Sequence, residues 1–455
     1  MTDMIKGITF RLKQAPVMLA SLFALLSVTA TPALAEDGLK AAIKTDYDTS
    51  LGALWDHFHR NPELSYVEVK TAARMAQELR AVPGVEVTEK VGGTGVVAVI
   101  RNGAGPVVLL RADMDGLPVE EKSGLPNASK VVMLNREGVS QPVMHACGHD
   151  THITAMLGTA RQLTRLKSSW SGTVVMIIQP AEERIGGAKE MLKDGLYTRF
   201  PKPEYALAFH VAAELAAGHI AAAETIQYSS SDSIELTVHG VGTHGAAPHL
   251  GKDPVYIASQ IVIALQGIIS REKSPLLPGV ITVGTFHSGT KNNIISDRAD
   301  LGITVRANDE KTRAELIQAI HEVADGIGRA NGLSAAQLPE VKIVESTPTT
   351  INDTLLAKRL NASLSNSLGA GVVVPFEQRN MGAEDFAWLV QPDTKVKGYY
   401  FAVGGTPQAW IDAAAKGGPP IAGHHSPLFK IAPEPAIRLG TEAMTRAVIE
   451  LLGKK

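Results

Sequence analysis

The apolar positions change their period twice along the chain. From Asp46 to Arg80 they recur at helical spacing, broken at Asn61-Pro62-Glu63 and resumed from Thr71 to Leu79 with good helix formers. Short apolar runs then follow at 95–100, 107–111, 173–178 and 205–209, with a helical stretch from Ile153 to Lys167 and beyond between the second and third. This alternation predicts an α/β fold with a mostly parallel sheet in a three-layer arrangement. Between Glu224 and Leu338 the grammar differs. Strands at 233–239, 280–286 and 299–306 alternate with helices at 254–271 and 310–331, which predicts a smaller α+β unit. The mixed pattern returns with a helix at 353–368, a strand near 398–403 and a closing helix at 436–452. The predicted organisation is one domain inserted in another: 36–223 and 339–455 build the larger, 224–338 the insert.

A chain of 455 residues exceeds the size at which one core keeps growing, consistent with two domains. Its 44 basic and 46 acidic residues nearly balance, and no dense basic run suggests a nucleic-acid partner. The first 35 residues stand apart. Lys6, Arg11 and Lys13 precede an apolar run from Ala15 to Ala30, and Ala33-Leu34-Ala35 offers small residues before Glu36. This tripartite pattern predicts a signal peptide, 1–35, and hence a secreted or periplasmic protein with no membrane partner after cleavage. The run is also shorter than the roughly 20 residues of a spanning helix. Cys147 is the only cysteine, so an exported chain cannot use it in an intramolecular disulfide, and another role is expected.

Cys147 lies in Met144-His145-Ala146-Cys147-Gly148-His149-Asp150, and a later apolar run ends in Gln179-Pro180-Ala181-Glu182-Glu183. A thiolate and an imidazole two residues apart can grip one cation, here from an extended loop, while adjacent carboxylates divide coordination from proton transfer. Three predicted strands run into such groups: 107–111 into Asp113 and Asp115, 173–178 into Glu182 and Glu183, 205–209 into His210. Carboxyl ends of strands in open α/β sheets form the ligand crevice, so these residues are expected to converge. Candidate ligands are Cys147, His149, Glu183, His210 and one of His424 and His425. That is more donors than one tetrahedral ion uses, so two divalent ions are expected, with Mn, Zn, Co or Ni favoured over Mg or Ca. Glu182 is then left as general base. In the insert, His244 within the glycine-flanked Gly242 to His249 segment can donate to a developing oxyanion, and Asn293 and Arg306 are candidates for orienting a substrate carbonyl and pairing with its carboxylate. Each residue taken singly also has an ordinary structural reading as a satisfied histidine or a solvated charge.

These motifs, with His59-Arg60-Asn61-Pro62-Glu63-Leu64-Ser65, Arg111-Ala112-Asp113-Met114-Asp115-Gly116-Leu117-Pro118 and Met381-Gly382-Ala383-Glu384-Asp385-Phe386, resemble the M20 metallopeptidase family. The likeness is strongest to its branch of N-acyl-amino-acid, hippurate and auxin-conjugate hydrolases, and runs through the mature chain in order. The resemblance implies a di-metal hydrolase with an inserted lid that often dimerises. It implies Cys147, His149, Glu183, His210 and His425 as ligands, His425 because it precedes Ser426-Pro427. It further implies Glu182 as base, Asp115 as the aspartate orienting a ligand, and His244 as the lid histidine, contributed in some relatives by a partner subunit. Gly116, Ser296 and the longer segments 130–141 and 408–423 depart from the pattern, and the two extensions are expected to border the crevice. The expected function is hydrolysis of an amide in an N-acyl amino acid or short peptide. The alternatives are a periplasmic ligand- or metal-binding protein without turnover, and a reaction with Cys147 as nucleophile.

Overall fold

The computed structural model describes residues 32–454, with side chains from Gly38 onward. The expected signal segment 1–35 lies outside the described residues, apart from the backbone of Pro32–Ala35 at the start of a helix, Pro32–Asp46. Eight strands form the main sheet, in the spatial order Val85–Val91, Gly95–Asn102, Gly172–Gln179, Val107–Asp113, Tyr205–Ala216, Lys397–Thr406, Ile220–Ala221 and Val373–Val374. The four central strands, from Gly172–Gln179 to Lys397–Thr406, are mutually parallel. The flank comprising Val85–Val91 and Gly95–Asn102 is antiparallel. The central runs are apolar on both faces because both faces are covered. Val108, Leu110, Val174, Met176 and Leu207 pack under helices His149–Arg165 and Pro433–Leu452, while Leu109, Val175, Ile177 and Ala206 face Ala188, Met191 and Phe386.

The insert has its own core. Strands Gly279–Ser288, Arg298–Ala307, Ser231–His239 and Glu340–Thr347 form an antiparallel sheet in that order. Burial alternates strictly along Arg298–Ala307, with Ala299, Leu301, Ile303 and Val305 turned toward Ile257, Ile261 and Leu265 of helix Pro254–Gly267 and Leu316 and Ile320 of helix Glu310–Ala330. Asp253 and Asp309 cap these helices by accepting from Val255 and Thr312 N–H. The fourth strand lies past the expected limit at 338. Its pairing with Ser231–His239 assigns it to the insert, where an exposed, weakly apolar sequence gave no strand signal. Continued by the turn Ile268–Glu272, the first helix is long and apolar enough to cross a membrane by length and composition. Here its inner face packs on the insert's sheet.

Candidate metal centre and hydrolytic site

The site lies at the carboxyl edge of the central strands. Strand Val107–Asp113 delivers Asp113 and, just beyond it, Asp115. Strand Gly172–Gln179 leads through Ala181, in the left-handed region at φ +49°, into the turn Glu182–Arg184. Helix His149–Arg165 begins four residues before the expected Ile153, so His149 is its first residue and does not lie in an extended loop. Gly148 precedes it at φ +85°, where a Cβ would stand 2.4 Å from Val211 Cγ1. His210 is inside its strand, which runs on to Ala216, not at its end. It still reaches the edge because pairing with the neighbouring Val107–Asp113 strand stops at Arg111 opposite Ala208. His425, left-handed at φ +65°, donates its N–H to Ala146 O at 2.9 Å, which seats the 423–426 loop on the Cys147 segment.

Hydrogen bonds to one ring nitrogen leave the other aimed inward. His210 Nδ1 lies 2.7 Å from Val211 O and its Nε2 3.3 Å from Cys147 Sγ. His149 Nδ1 lies 2.8 Å from Asp115 O, while its buried Nε2 has no hydrogen-bond partner. Glu183 Oε1 is likewise buried and without a hydrogen bond among the described residues, 3.8 Å from His149 Nε2, and its other oxygen is 3.3 Å from His425 Nε2. Sulfur, nitrogen and oxygen donors of Cys147-His149-His210 and of Cys147-Glu183-His425 each fall within 4.8 Å of one another, with Cys147 common to both sets. Convergent donors of this soft and borderline type, two of them buried without a hydrogen bond among the described residues, fit a pair of divalent ions. Two neighbouring histidines differ in that a backbone N–H occupies their Nε2, which leaves the ring proton on Nδ1. His152 accepts from Val211 N–H through Nε2 and lies 2.5 Å from Asp113 through Nδ1. His424 Nε2 accepts from Ala213 N–H at 3.2 Å, and its Nδ1 faces Cys147 Sγ at 3.7 Å.

The charges are strongly coupled. Burial opposes protonation of His149, but Asp113, Asp115 and Glu183 together raise it to about 10. Burial lifts Glu183 to about 8 against the pull of His149, and burial with Glu384, Glu183 and Asp385 pushes Glu182 well above the usual carboxylate range. Burial with Glu183 and Glu182 also pushes the Cys147 thiol up, the reverse of what a free nucleophilic thiolate needs. Behind the site, fully buried Arg111 binds Asp113 at 2.6 Å, Glu384 at 2.7 Å, Asp385 at 3.1 Å and Gln179 at 2.9 Å. Asp115 takes Ser65 Oγ and Glu183 N–H on one oxygen, at 2.6 and 3.0 Å, so it orients both Glu183 and His149.

A cleft of about 750 Å³ opens over Cys147, Glu182, Glu183, His210 and His425 and extends to Arg306 on the insert. His244 and Asn293 lie elsewhere. They sit side by side on an exposed two-stranded ribbon, Thr243–His244 against Ile294–Ile295, with Gly245 N–H bonded to Asn293 O. Neither extension walls the cleft, contrary to expectation. Residues 130–141 form a hairpin, Val132–Leu134 with Ser140–Pro142, and 408–423 carries helix Gln408–Ala415 beside a separate cavity of about 340 Å³. Sequence reasoning did not single out His152, or Arg111 with Glu384 and Asp385 as one network. The His149-to-His152 spacing was a signal for the first, but nothing local joins residues 111 and 384.

The profile of Peptidase family M20/M25/M40 matches residues 109–416. Thermostable carboxypeptidase 2 of Saccharolobus solfataricus is 39% identical over 351 residues, 76% of this chain and 83% of that one. The hippurate hydrolase of Campylobacter jejuni is 39% identical over 298 residues, 65% of this chain and 73% of that one. The crystal structure of Bacillus subtilis YXEP protein, described as a dinuclear metal binding peptidase from the M20 family, superposes with a TM-score of 0.70 at 28% identity, covering 91% of this chain and 99% of that one. The chain belongs to peptidase family M20/M25/M40.

Proposed function

We propose that this M20 hydrolase is an exported amidohydrolase that cleaves the amide of an N-acyl amino acid or short peptide, with Glu182 as general base. The observation that carries the reading is the division of labour between two adjacent buried carboxylates. Glu183 is held by Asp115 at its N–H and spans the ligand set, one oxygen 3.3 Å from His425 Nε2 and the other 3.8 Å from His149 Nε2, whereas Glu182 meets the set at its edge, its Oε2 3.9 Å from His149 Nε2. Two divalent ions held by Cys147, His149, Glu183, His210 and His425 would lower the pKa of water and polarise the scissile carbonyl. Glu182 takes the proton of the attacking water. It then passes that proton to the leaving amine. Arg306 is half-buried, with a hydrogen bond from Nε to Thr304 Oγ1 at 3.2 Å, and supplies a cation at the cleft wall for a substrate carboxylate.

His244 and Asn293 complete the site from a second copy of the chain. Support comes from their place on an exposed ribbon and from the insert's outer face, where Tyr256, Ile263, Leu276 and Phe286 are exposed beside the edge strand Gly279–Ser288. Export with processing before Glu36 rests on the N-terminal sequence pattern, and mass spectrometry of the mature N-terminus tests it.

The decisive experiment is hydrolysis of N-acetyl and N-benzoyl amino acids and dipeptides by residues 36–455, with added Mn or Zn and with chelator, alongside Glu182→Gln. Metal-dependent turnover that falls by about 10² to 10⁴ in the variant is the expected result. Tight ligand binding without turnover, unaffected by Glu182→Gln, would replace this reading with that of a binding protein.

A further inference from the structure

The elbow that presents Glu182 and Glu183 is conformationally costly. Ala181 is not glycine, yet it occupies the left-handed region, and so does Ile185 on the far side of the turn at φ +52°. For an L-residue this conformation is sterically unfavourable and persists only where the surroundings impose it. Asp115 secures one end of the elbow through the Glu183 N–H. The other end is secured by a residue that the hydrolytic mechanism does not use. Glu68 stands at the N-terminus of helix Val69–Arg80 but does not cap that helix with its side chain. Instead its fully buried carboxylate accepts the Ala181 N–H at 2.8 Å and the Tyr66 N–H at 2.9 Å on Oε1, and Thr94 Oγ1 at 2.6 Å on Oε2. Tyr66 is itself left-handed, at φ +68°. One carboxylate thus holds two strained non-glycine residues, and Tyr66 closes over the turn: a Cβ on Gly186 would stand 2.2 Å from its hydroxyl.

We propose that Glu68 is a positioning residue for hydrolysis, a clamp that fixes the Ala181 elbow so that Glu182 faces the cleft while Glu183 faces the metal ligands. It touches neither substrate nor ligand set and acts through the Ala181 N–H. A carboxylate is well suited because it is acceptor-only and can receive two N–H groups on one oxygen. Glutamine keeps one such oxygen and can present its amide to Thr94 Oγ1, whereas methionine fills the same space with no comparable acceptor. The clamp rests on the assignment of Glu182 and Glu183 above.

The test compares Glu68→Gln, Glu68→Met and Glu68→Met/Ala181→Gly in the Mn-loaded enzyme acting on N-benzoylglycine, with amide exchange of residues 178–187 followed in parallel. Glu68→Met is expected to lower kcat by about 100-fold with KM little changed, the scale of a 1 Å misplacement of a reacting group. Glu68→Gln should remain within a few fold of wild type. Glycine at 181, which adopts positive φ freely, should recover much of the loss in the double variant. Equal kcat for the Met and Gln variants, or no recovery in the double variant, would overturn the clamp. If Glu68→Met does not fold, exchange in Glu68→Gln decides. The weaker neutral acceptor should speed exchange at 178–187 but not in strand Val107–Asp113, and unchanged elbow exchange would refute the proposal. Glu182→Gln is run alongside. Full turnover in that variant would sink the base assignment and leave the clamp to be judged by exchange alone.

Discussion

At the scale of single residues, the centre is defined by which polar atoms are satisfied and which are not. Arg111 shows the satisfied kind. Its guanidinium is buried among Asp113, Glu384, Asp385 and Gln179, tying strand Val107–Asp113 to the 384–385 turn. Arg111→Leu would strand these carboxylates without their cation. It is expected to destabilise the fold by about 3–5 kcal/mol, read as a lower urea midpoint at unchanged slope. His59 offers a pH-dependent counterpart outside the ligand set. Burial disfavours its charged form, but Asp150 at 2.8 Å and Glu121 at 3.3 Å outweigh burial and raise it to about 10. A folded value above the ordinary 6.5 means that the contribution is fully present below pH 6.5 and lost as pH rises toward 10. The stability gap between wild type and His59→Gln should therefore be widest near pH 6 and shrink progressively up to pH 10. A gap that grows with pH in urea titrations would contradict this charge assignment.

At the scale of elements, the sequence shows most clearly what repeats with a period. The apolar runs at 95–100, 107–111 and 173–178 all fall within observed strands, because strands covered on both faces must be apolar throughout. The first turn of the helix at His149 was not legible. His149, Asp150, Thr151 and His152 are polar yet buried, satisfied by distant residues such as Asp115, His59 and Asp113. Hydrophobic periodicity cannot register partners of that kind. The convergence of Cys147, His149, Glu183, His210 and His425 was expected from residue types and their order along the chain, and the structure brings these side chains together, but the left-handed backbone at Ala181 was not legible, since alanine gives no local hint of positive φ. The glycines bear on the same elbow. A Cβ at Gly187 would stand 1.6 Å from Pro180 O, whereas Gly267, with helical φ of −61°, meets nothing within 4 Å. Gly187→Ala is expected to destabilise by at least about 1–3 kcal/mol and to reduce turnover by moving the elbow. Gly267→Ala should stabilise by about 0.5–1 kcal/mol. Thermal unfolding of the two variants, moving in opposite directions, checks the pair.

At the scale of the whole molecule, the cleft within one chain is lined by four of the five candidate ligands and by Glu182, the proposed base, whereas His244, the candidate for a developing oxyanion, is not among its lining residues. His244 is exposed on the insert's ribbon, with its Nδ1 accepting Ala246 N–H at 3.0 Å and Nε2 left as the donor that can face outward. If a second copy seats that ribbon over the cleft, each active site is built from two chains. The consequence can be read without knowing the interface geometry. Glu182→Gln retains His244 but has no base, and His244→Ala retains the base but offers its partner no histidine. Each alone should lose about 10² or more in kcat. Mixed in equal amounts under conditions that allow subunit exchange, half the dimers contain one chain of each kind, and one of the two sites in each of these is complete. Activity should then recover to about a quarter of the wild-type rate per chain. A mixture no more active than the mean of the two variants, in a sample shown to exchange subunits, would place His244 outside the reaction or within its own chain's site.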